Sequence, residues 1–320
     1  MYMHHFLDFE KPIAALEGKI KELRHLGGDS GMNIAEEIGK LQSRIDKELA
    51  QTYKKLGPWE KVQVARHPER PKMVQIIETI FDEFIALSGD RAYAEDYAII
   101  GGMARFRGRP VIVLGTEKGS TTEQRVKRNF GMVRPEGYRK AIRLMALANQ
   151  FNLPVISFVD TAGAYPGRGA EERGQAEAIA RAIQSCLGLT TPLISAIVGE
   201  GGSGGAIALA TGNRVVMFEH AVYSVISPEG CASILWRSAD KAQTAAEALR
   251  LTAQDMHELG VIDQIVEEPV GGAHRDIDAA LNNLADAIDG QLQTLSALST
   301  EALKKDRQEK YLNMGDKSLI

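Results

Sequence analysis

The segment Gly199–Gly205 contains five glycines in seven residues and constrains the fold more than any other part of the chain. It follows the apolar segment Pro192–Val198, which is typical of a buried strand, and it precedes Ala206–Ala210, which fits a short helix. Bare backbone amides at such a turn allow a ligand to come close, and the positive end of the helix dipole lies behind them. The segment therefore predicts a site for an anion, either a bound phosphate or an oxyanion formed during a reaction.

One motif that overlaps the glycine run is the fingerprint of dinucleotide-binding proteins. Gly199, Gly201 and Gly204 have its spacing, and Glu219 lies about twenty residues further on, after the next predicted strand. Against it, the predicted helix is shorter than the usual crossover helix. A Walker A phosphate loop is excluded, because no lysine follows the glycines. Dinucleotide binding stays an alternative, as does a purely scaffolding role.

A second overlapping motif, Gly201-x-Ser203-x-Gly205, is the nucleophile elbow of serine hydrolases. That chemistry needs an acid and then a histidine further along the chain. Two of the histidines that follow, His257 and His274, are expected on the surface, in a charged helix and in a glycine-rich loop. We therefore expect Ser203 to be a small turn residue rather than a nucleophile.

Two other polar turns that contain glycine also follow predicted strands, Asp160–Glu172 and Ser227–Cys231. Ligands of α/β folds bind at the carboxyl ends of strands, so the three turns together favour one shared pocket. Asp160, Glu171 and Glu172 could act there as general acids or bases. Alternatively, Asp160 caps its turn, and the two glutamates are stabilised by the dipole of the helix in whose first turn they lie.

The apolar pattern divides the chain into a helical N-terminal part and an α/β part. Apolar residues recur at steps of three and four over 9–23 and 34–49, which predicts a hairpin of two amphipathic helices. A further helix is predicted over 74–85. Strands and helices then alternate, which predicts an α/β fold with a largely parallel sheet. The predicted elements are a β-hairpin at 98–106 and 110–114, strands at 154–159, 192–198, 214–218 and 221–226, and helices at 138–148, 171–189, 206–210, 241–259 and 277–295.

Composition argues against several classes of protein. The formal net charge of −4 argues against a dedicated nucleic-acid binder, and no apolar stretch approaches the roughly 20 residues that span a bilayer. Residues 1–10 lack the apolar core of a signal peptide, so we expect a cytoplasmic protein with no membrane partner. Cys186 and Cys231 form no C-x-x-C pair, so there is no thiol basis for a zinc ribbon, and we expect no metal site in this chain.

Residues 118–140 are rich in cations on both sides of the segment Asn129–Gly131. These side chains could bind phosphates or an acidic carrier, or they could form a solvated face, and the sequence leaves the choice open. The seven cationic residues are Lys118, Arg125, Lys127, Arg128, Arg134, Arg139 and Lys140.

Longer motifs make the chain resemble the alpha subunits of bacterial acetyl-CoA carboxylase carboxyltransferase. The matching segments are 6–10, 128–132, 135–141, 163–167, 169–175, 199–206, 223–236 and 271–275. Ser227–Trp236 is the most specific part of these motifs, and the resemblance covers most of the chain. Two departures from the family pattern lie in one loop, with Ala162 in place of proline and Arg168 in place of a small apolar residue.

The resemblance implies a crotonase-type fold, a spiral of ββα units with helices outside, preceded here by the helical hairpin. We therefore expect an N-terminal hairpin or assembly arm over 1–60, a crotonase-type carboxyltransferase domain over 61–300 and a polar, loosely held tail over 301–320. The implied reaction moves a carboxyl group from carboxybiotin, carried on the biotin carboxyl carrier protein, to acetyl-CoA. Its product is malonyl-CoA, and the reaction belongs to the first committed step of fatty acid synthesis.

The resemblance also implies partners. The alpha subunit of this family pairs with a beta subunit, typically as an α2β2 heterotetramer, and works with biotin carboxylase in a larger complex. The beta subunit is expected to hold a zinc ribbon and most of the contacts to coenzyme A. By the same resemblance, the alpha subunit binds the biotin side of the reaction.

The implied site centres on the glycine turn. Gly204 and Gly205 are the expected donors of N–H groups to an oxyanion, and the turn is shaped by Gly201, Gly202 and Ser203. The carboxybiotin pocket is expected to be lined by these turn residues and by Gly163, Ala164 and Tyr165. No side-chain base is required, because free biotin can take the acetyl proton, so we expect the three carboxylates named above to be structural. The alternative enzyme is a self-sufficient crotonase-type hydratase or thioesterase, which would need a catalytic carboxylate and no second subunit.

Overall fold

A computed structural model describes residues 5–26 and 31–315 of the chain. The helices are α1 (Lys11–Leu26), α2 (Gly31–Tyr53), α3 (Pro58–Ala65), α4 (Met73–Ile80), α5 (Thr122–Lys127), α6 (Pro135–Phe151), α7 (Arg168–Glu172), α8 (Gln175–Gly188), α9 (Ser203–Ala210), α10 (Pro228–Trp236), α11 (Ala242–Leu249), α12 (Ala253–Glu258), α13 (Ile277–Ser296) and α14 (Thr300–Leu312). The strands are β1 (Asp82–Ala86), β2 (Ile99–Phe106), β3 (Arg109–Thr116), β4 (Val155–Thr161), β5 (Leu193–Gly202), β6 (Arg214–Phe218), β7 (Val222–Ser224) and β8 (Gln264–Val266).

The strands form one sheet in the order β1-β2-β3-β4-β5-β6-β8, and β7 pairs with the end of β5. The first three strands pair antiparallel, and the remaining pairs are parallel. The β2–β3 hairpin turns through Arg107 and Gly108, whose φ angles of 48° and 79° suit a tight two-residue turn. The predicted α/β fold and the predicted hairpin are confirmed.

The core lies around the central strands, which are apolar and buried. Every residue of β4 is buried, as are the first seven residues of β5. Strands buried on both faces lose the alternation of apolar and polar residues that marks a half-exposed strand. The glycine run begins inside the end of β5, directly after these buried residues.

The N-terminal helical hairpin is confirmed for the described residues, and residues 27–30 lie outside them. Its two helices pack around a small apolar cluster that includes Ile13, Ile20 and Ile45. The buried carboxylate of Glu10 connects this hairpin to the rest of the molecule, because it accepts a hydrogen bond from Tyr53 (3.0 Å) and pairs with Arg275 (3.2 Å). The cluster and this ion pair dock the hairpin on the α/β part, while the division into domains stays a prediction.

Three predicted helices have different limits in the structure. The helix over 74–85 is wrong beyond Ile80, because residues 82–86 form the edge strand β1 and pair with β2. The helix over 171–189 is split at Gly174, which has a φ of 79°. The helix over 241–259 is interrupted at Arg250, which has a φ of 48°. In each case the backbone changes direction where sheet pairing or a left-handed residue overrides apolar spacing.

The segment 300–312 is also more ordered than expected. Residues 300–312 form α14, whose Arg307 is fully buried. Its guanidinium donates to the carbonyl oxygens of Leu189 (2.8 Å) and Thr191 (3.0 Å) and to the side chain of Asn213 (2.5 Å). The expectation of a loosely held tail is therefore wrong for this helix, because one buried arginine anchors it to the loop before β5. Residues 316–320 lie outside the described part.

Candidate active site at the end of the central strand

The strand β5 continues through the first glycines, so that Gly199–Gly202 belong to the strand and only the last three residues of the run begin the helix. Close packing explains part of the glycine content. A Cβ atom at Gly202 would lie 2.3 Å from the carbonyl oxygen of Ala162, which real Cβ atoms do not tolerate. Gly202 is therefore required for the close packing of the ends of β4 and β5. The glycine content of this segment does not reflect ligand binding alone.

The helix α9 begins at Ser203, three residues earlier than predicted. Ser203 has a φ of 51°, the left-handed region that costs energy for a residue with a side chain, so the turn is strained at the serine rather than at Gly204 or Gly205. These two glycines occupy the first turn of the helix, where N–H groups have no acceptor inside the helix. The described residues provide neither amide with another acceptor. Both amides are thus available as donors at the positive end of α9.

Gly204 and Gly205 differ in the room around them. A Cβ atom at Gly204 would lie 3.6 Å from the nearest heavy atom, in the side chain of Ile179, which is ordinary contact. A Cβ atom at Gly205 would lie 2.6 Å from the backbone of Gly163 and Ala164. The structure therefore brings the predicted loop residues against Gly205 and leaves Gly204 partly open.

Residues of all three predicted turns line one small cavity of about 20 Å³, whose lining includes Gly201 and Gly202 but not Gly163, Ala164, Tyr165 or Ser203. The pocket is lined by Ala162 from the first turn, Gly201 and Gly202 from the second, and Ser227 and Pro228 from the third. Gly204 and Gly205 lie just beyond this pocket in the first turn of α9.

Tyr165, in the loop that follows β4, is held against the cationic segment by Val133 and Arg134. Its amide donates to the carbonyl of Val133 (2.9 Å), and the guanidinium carbon of Arg134 lies 4.7 Å from the centre of its ring. The first turn thus connects the glycine strand on one side with the cationic segment on the other.

A network of charged side chains lies beside the glycine strand, and the sequence analysis did not assign it to the site. Glu200 accepts from Arg66 (2.6 Å) and Lys118 (2.8 Å), and Lys118 also pairs with Asp160 (2.7 Å). Arg66 extends the network to Glu229 at 2.5 Å. The signal that could have revealed it is Glu200 itself, an isolated carboxylate among glycines at the end of an apolar strand.

The network fixes the charge of its members. Burial would raise the pKa of Glu200, but Lys118 and Arg66 outweigh burial and lower that pKa to about 2. Burial would lower the pKa of Lys118, but Asp160 and Glu200 outweigh burial and raise it above its usual value. Glu200 and Lys118 are therefore both charged at neutral pH, and neither is poised to exchange a proton.

The predicted acid and base candidates have structural surroundings. Besides its pairing with Lys118, Asp160 accepts the amide of Glu200 at 2.9 Å, which ties the ends of β4 and β5 together. Glu171 and Glu172 are exposed, and Glu172 pairs with the exposed Arg168 at 2.7 Å. These contacts support the expectation that none of the three is a proton-transfer group.

The nucleophile alternative gains one feature and lacks another. The strained φ of Ser203 at a strand-to-helix turn is typical of a nucleophile elbow. However, within residues 5–26 and 31–315 no hydrogen bond joins its hydroxyl to a histidine. The expectation that His274 lies on the surface is wrong, because it is buried and its ring stacks at 3.7 Å on that of His67.

The comparisons with known proteins decide the family. A family model described as acetyl co-enzyme A carboxylase carboxyltransferase-like matches residues 6–315. The chain belongs to this family. It is 62% identical over 311 residues to the acetyl-coenzyme A carboxylase carboxyl transferase subunit alpha of Paramagnetospirillum magneticum, covering 97% of this chain and 98% of the relative. The subunit alpha of Rhodospirillum centenum is 61% identical over 315 residues, covering 98% and 99%.

Solved structures support the same architecture. The Pseudomonas malonate decarboxylase hetero-tetramer in complex with coenzyme A has a chain that superposes with a TM-score of 0.57 at 17% identity, covering 69% of this chain and 89% of the other. The transcarboxylase 12S structure gives a TM-score of 0.54 at 20% identity, covering 68% of this chain and 42% of the other. At these identities the likeness shows the fold alone. The predicted crotonase-type fold is confirmed.

Membership of the acetyl-CoA carboxylase carboxyltransferase family confirms the resemblance found in the sequence. It identifies the chain as an alpha subunit of that carboxyltransferase, and it does not favour the alternative of a self-sufficient hydratase or thioesterase. In the described part of the chain, no helix has the length and apolar character needed to cross a bilayer. Across those same residues, no group of three or more His, Cys, Asp or Glu side chains could hold a metal ion.

Proposed function

We propose that this alpha subunit binds carboxybiotin at the start of α9 and stabilises the oxyanion that forms there during carboxyl transfer to acetyl-CoA. Carboxybiotin supplies the carboxyl group, and negative charge develops on its ureido oxygen as that group leaves. The residues that would hold this oxygen are Gly204 and Gly205, through their backbone N–H groups. The observation that supports the proposal most directly is that both amides lie in the first turn of α9 without an acceptor inside the helix.

The geometry at Gly204 and Gly205 suits a preorganised donor pair. The amides are fixed before any substrate arrives, because Ser203 starts the helix and Gly205 packs against the backbone of Gly163 and Ala164. Preorganised donors are effective because little reorganisation is needed when charge develops. Gly204 has no side chain of its own to block the amide, and a Cβ atom there would only contact the side chain of Ile179.

The other predicted site residues would shape and line the pocket. Gly201 and Gly202 keep the end of β5 bare, and Ser203 makes the change of direction into α9. We propose that Ala164 and Tyr165 form the wall on the side of the cationic segment. The described carboxylates near the turn are tied to cations or exposed, so this chain supplies no evident base. The proton of the acetyl group would then be taken by biotin, which is the reaction's own product.

The proposed partners follow the family. We propose an α2β2 assembly with a zinc-bearing beta subunit that binds most of coenzyme A, together with the biotin carboxyl carrier protein, biotin carboxylase and a cytoplasmic location. Purification of the chain from its native source tests the assembly. A zinc-containing subunit should accompany this chain, and decarboxylation of malonyl-CoA in the presence of biotin should require both subunits. Full activity of the alpha subunit alone would contradict the proposal.

The substitution Gly204→Val tests the anion site. An added Cβ atom at Gly204 would only contact Ile179, so we expect the fold to persist. We expect the branched valine side chain to hinder the approach to the amides and activity to fall. Loss of one oxyanion donor costs about 100- to 1,000-fold in rate in other enzymes, which sets the expected size. The measurement is biotin-dependent decarboxylation of malonyl-CoA by the assembled alpha and beta subunits.

The matched control is Gly290→Val. Gly290 is a helical glycine like Gly204, and an added Cβ atom there would meet nothing within 4 Å. It should assemble with the beta subunit and keep its activity. Gly205→Val is unsuitable, because its side chain would collide with the neighbouring backbone and disturb the fold. Full activity of Gly204→Val would contradict the assignment of the amides.

The substitution Ser203→Ala separates the oxyanion reading from the nucleophile reading. Alanine has about the same cost in the left-handed region and removes only the hydroxyl, so most of the activity should remain. A loss of several orders of magnitude, with the assembly intact, would favour a covalent mechanism at Ser203.

A further inference from the structure

Four of the seven cations in residues 118–140 have no carboxylate partner among the residues that the structure describes. Lys118, Arg139 and Lys140 are paired, with Asp160, Asp90 and Glu95 as respective partners. The unpaired residues are Arg125, Lys127, Arg128 and Arg134. Their charge is not neutralised within the described chain, although the protein as a whole has a net charge of −4.

Two of these unpaired cations contact neutral groups of Tyr97. The ammonium of Lys127 lies 4.2 Å from the centre of the Tyr97 ring, and Arg128 donates to the Tyr97 carbonyl at 3.1 Å. Arg125 is held separately, since it donates to the carbonyl of Gly119 at 3.4 Å. These contacts position the side chains and leave their positive charge uncompensated.

The fourth cation connects this group to the proposed carboxybiotin pocket. Arg134 donates to the side chain of Asn129 at 3.0 Å and covers the ring of Tyr165. The amide of Tyr165 in turn donates to the carbonyl of Val133, the residue before Arg134. The unpaired cations therefore form a surface that continues directly into the loop that packs on Gly205.

An exposed aromatic ring lies within this surface on a rigid turn. Asn129, Phe130 and Gly131 have consecutive positive φ angles of 46°, 56° and 79°, and the Phe130 side chain is 53% exposed. The turn is fixed to the end of β4, because Thr161 donates to the carbonyl of Gly131 at 2.7 Å. Val126 and Tyr97, which belong to or contact the same segment, are also exposed, so the strained turn forms part of an apolar patch among cations. Such a patch is more typical of a recognition surface than of a solvated face.

We propose that the cationic knuckle, defined as Arg125, Lys127, Arg128, Arg134 and Phe130, docks an acidic protein surface that surrounds the biotin on its carrier. This inference rests on the proposed function, because it requires biotin to enter beside Tyr165. The cations are held by separate groups, so their charges are spread over a surface instead of converging on one point. Spread charge around an exposed ring suits an acidic protein face, whereas a single phosphate favours converging donors.

The test compares two forms of the same substrate in the assembled alpha and beta subunits. Lys127→Glu reverses an exposed charge of the knuckle, and Lys305→Glu makes the same change on α14 as a control. We expect Lys127→Glu to raise the KM for the full-length biotinylated carrier about tenfold and to leave the KM for free biotin unchanged. The KM of the wild-type enzyme for the carrier should rise with salt, and the variant should show a weaker dependence.

A second variant keeps the inference falsifiable if charge reversal disturbs the assembly. Phe130→Ala removes the exposed ring without changing charge, and it should also raise the KM for the carrier alone. An equal rise in the KM for free biotin, a rise in the KM for malonyl-CoA, or no change for the carrier would each overturn the inference. These outcomes are separable from failure of the proposed anion site, which is measured with free biotin and Gly204→Val.

Discussion

Two ion pairs between arginine and glutamate lie against the same strand, and they differ in their surroundings. Arg70 and Glu268 pair at 2.7 Å with side chains that are 1% and 0% exposed, and Arg70 also donates to the carbonyl of Val198 at 2.8 Å. Arg66 and Glu200 pair at 2.6 Å with side chains that are 32% and 12% exposed. One pair therefore lies inside the protein beside β5, and the other lies at the end of β5 beside the candidate site.

The difference lies in how each network is completed. Glu268 also accepts the amides of His220 (2.9 Å) and Ala273 (2.6 Å), so its carboxylate is satisfied by buried groups alone. Glu200 shares its cations with Asp160 and Glu229, and it borders the pocket formed by the three turns. A closed buried network stabilises the fold, whereas an open network at a strand end can also orient the glycine backbone beside it.

The largest expected effect comes from breaking the buried pair. Glu268→Gln leaves the Arg70 charge buried without its partner, and such a change typically costs about 3–5 kcal/mol of the free energy of unfolding. Denaturant unfolding of the assembled protein measures the loss. A decrease of less than about 1 kcal/mol would mean that the Arg70–Glu268 pair contributes no more to stability than an exposed ion pair does. The contrast between the two networks would then be lost.

Acid should weaken both networks over the same pH range. Burial would raise the pKa of Glu200 and of Glu268, but the neighbouring cations outweigh burial and lower both values from 4.5 to about 2. The unfolded chain therefore takes up these protons first, so stability that is present above about pH 4.5 is lost as the pH falls towards 2. Each unit of pKa difference corresponds to about 1.4 kcal/mol.

The pH dependence of unfolding between about pH 6 and pH 3 measures this loss. In Glu268→Gln the dependence should be shallower than in the wild type, because one of the carboxyl groups with a lowered pKa is gone. An unchanged slope would show that other groups govern acid unfolding.

The network at the strand end should affect activity more than stability. Glu200→Gln leaves Lys118 and Arg66 with weaker partners and loosens the end of β5, so we expect kcat to fall about tenfold or more. Its stability should decrease by about 1–2 kcal/mol, less than for the buried pair. Steady-state kinetics with malonyl-CoA and biotin, together with denaturant unfolding, measure both effects.

The matched control for this prediction is Glu229→Gln. It removes the other partner of Arg66 but leaves Glu200 and Lys118 in contact beside the glycine strand. Its activity should stay close to that of the wild type. If both variants lose activity equally, the effect comes from Arg66 and not from the carboxylate at the strand end.

The smallest effect is expected at the exposed pair of Arg168 and Glu172. Both side chains face solvent, so Arg168→Ala should change stability by no more than about 0.5 kcal/mol and leave kcat unchanged. This position is one of the two departures from the family pattern, and the variant tests whether that departure matters. A large loss of activity would show that the loop takes part in binding.

Local sequence patterns predicted most of the fold. The spacing of apolar residues identified the helical hairpin, and the apolar segments 98–106 and 110–114 identified the β-hairpin. Local patterns failed where distant pairing decides. Residues 82–86 have helical spacing but form an edge strand, because β2 offers them hydrogen bonds. The polar segment 300–312 forms a docked helix because Arg307 finds carbonyl oxygens more than one hundred residues away.

The candidate site was likewise predictable in part. The three glycine-containing turns and their shared pocket followed from the order of strands. The charged network did not, because Arg66 and Glu200 are separated by 134 residues and Lys118 and Glu200 by 82. The strain also lies at Ser203 instead of a glycine, since the start of α9 depends on how β4 and β5 pack. Sequence spacing contains no information on such contacts.

The sequence by itself determined the position of the glycine run at the end of an apolar strand and the family that the chain resembles. Both depend only on the identity and order of the residues. Only the tertiary structure decided that Gly205 packs against the backbone of Gly163 and Ala164, whereas Gly204 has only the side chain of Ile179 beside it. It also decided which cations are neutralised and which, among residues 5–26 and 31–315, remain without a carboxylate partner around Phe130. The physical reason is that contact distances and ion pairing depend on the meeting of segments that are far apart along the chain.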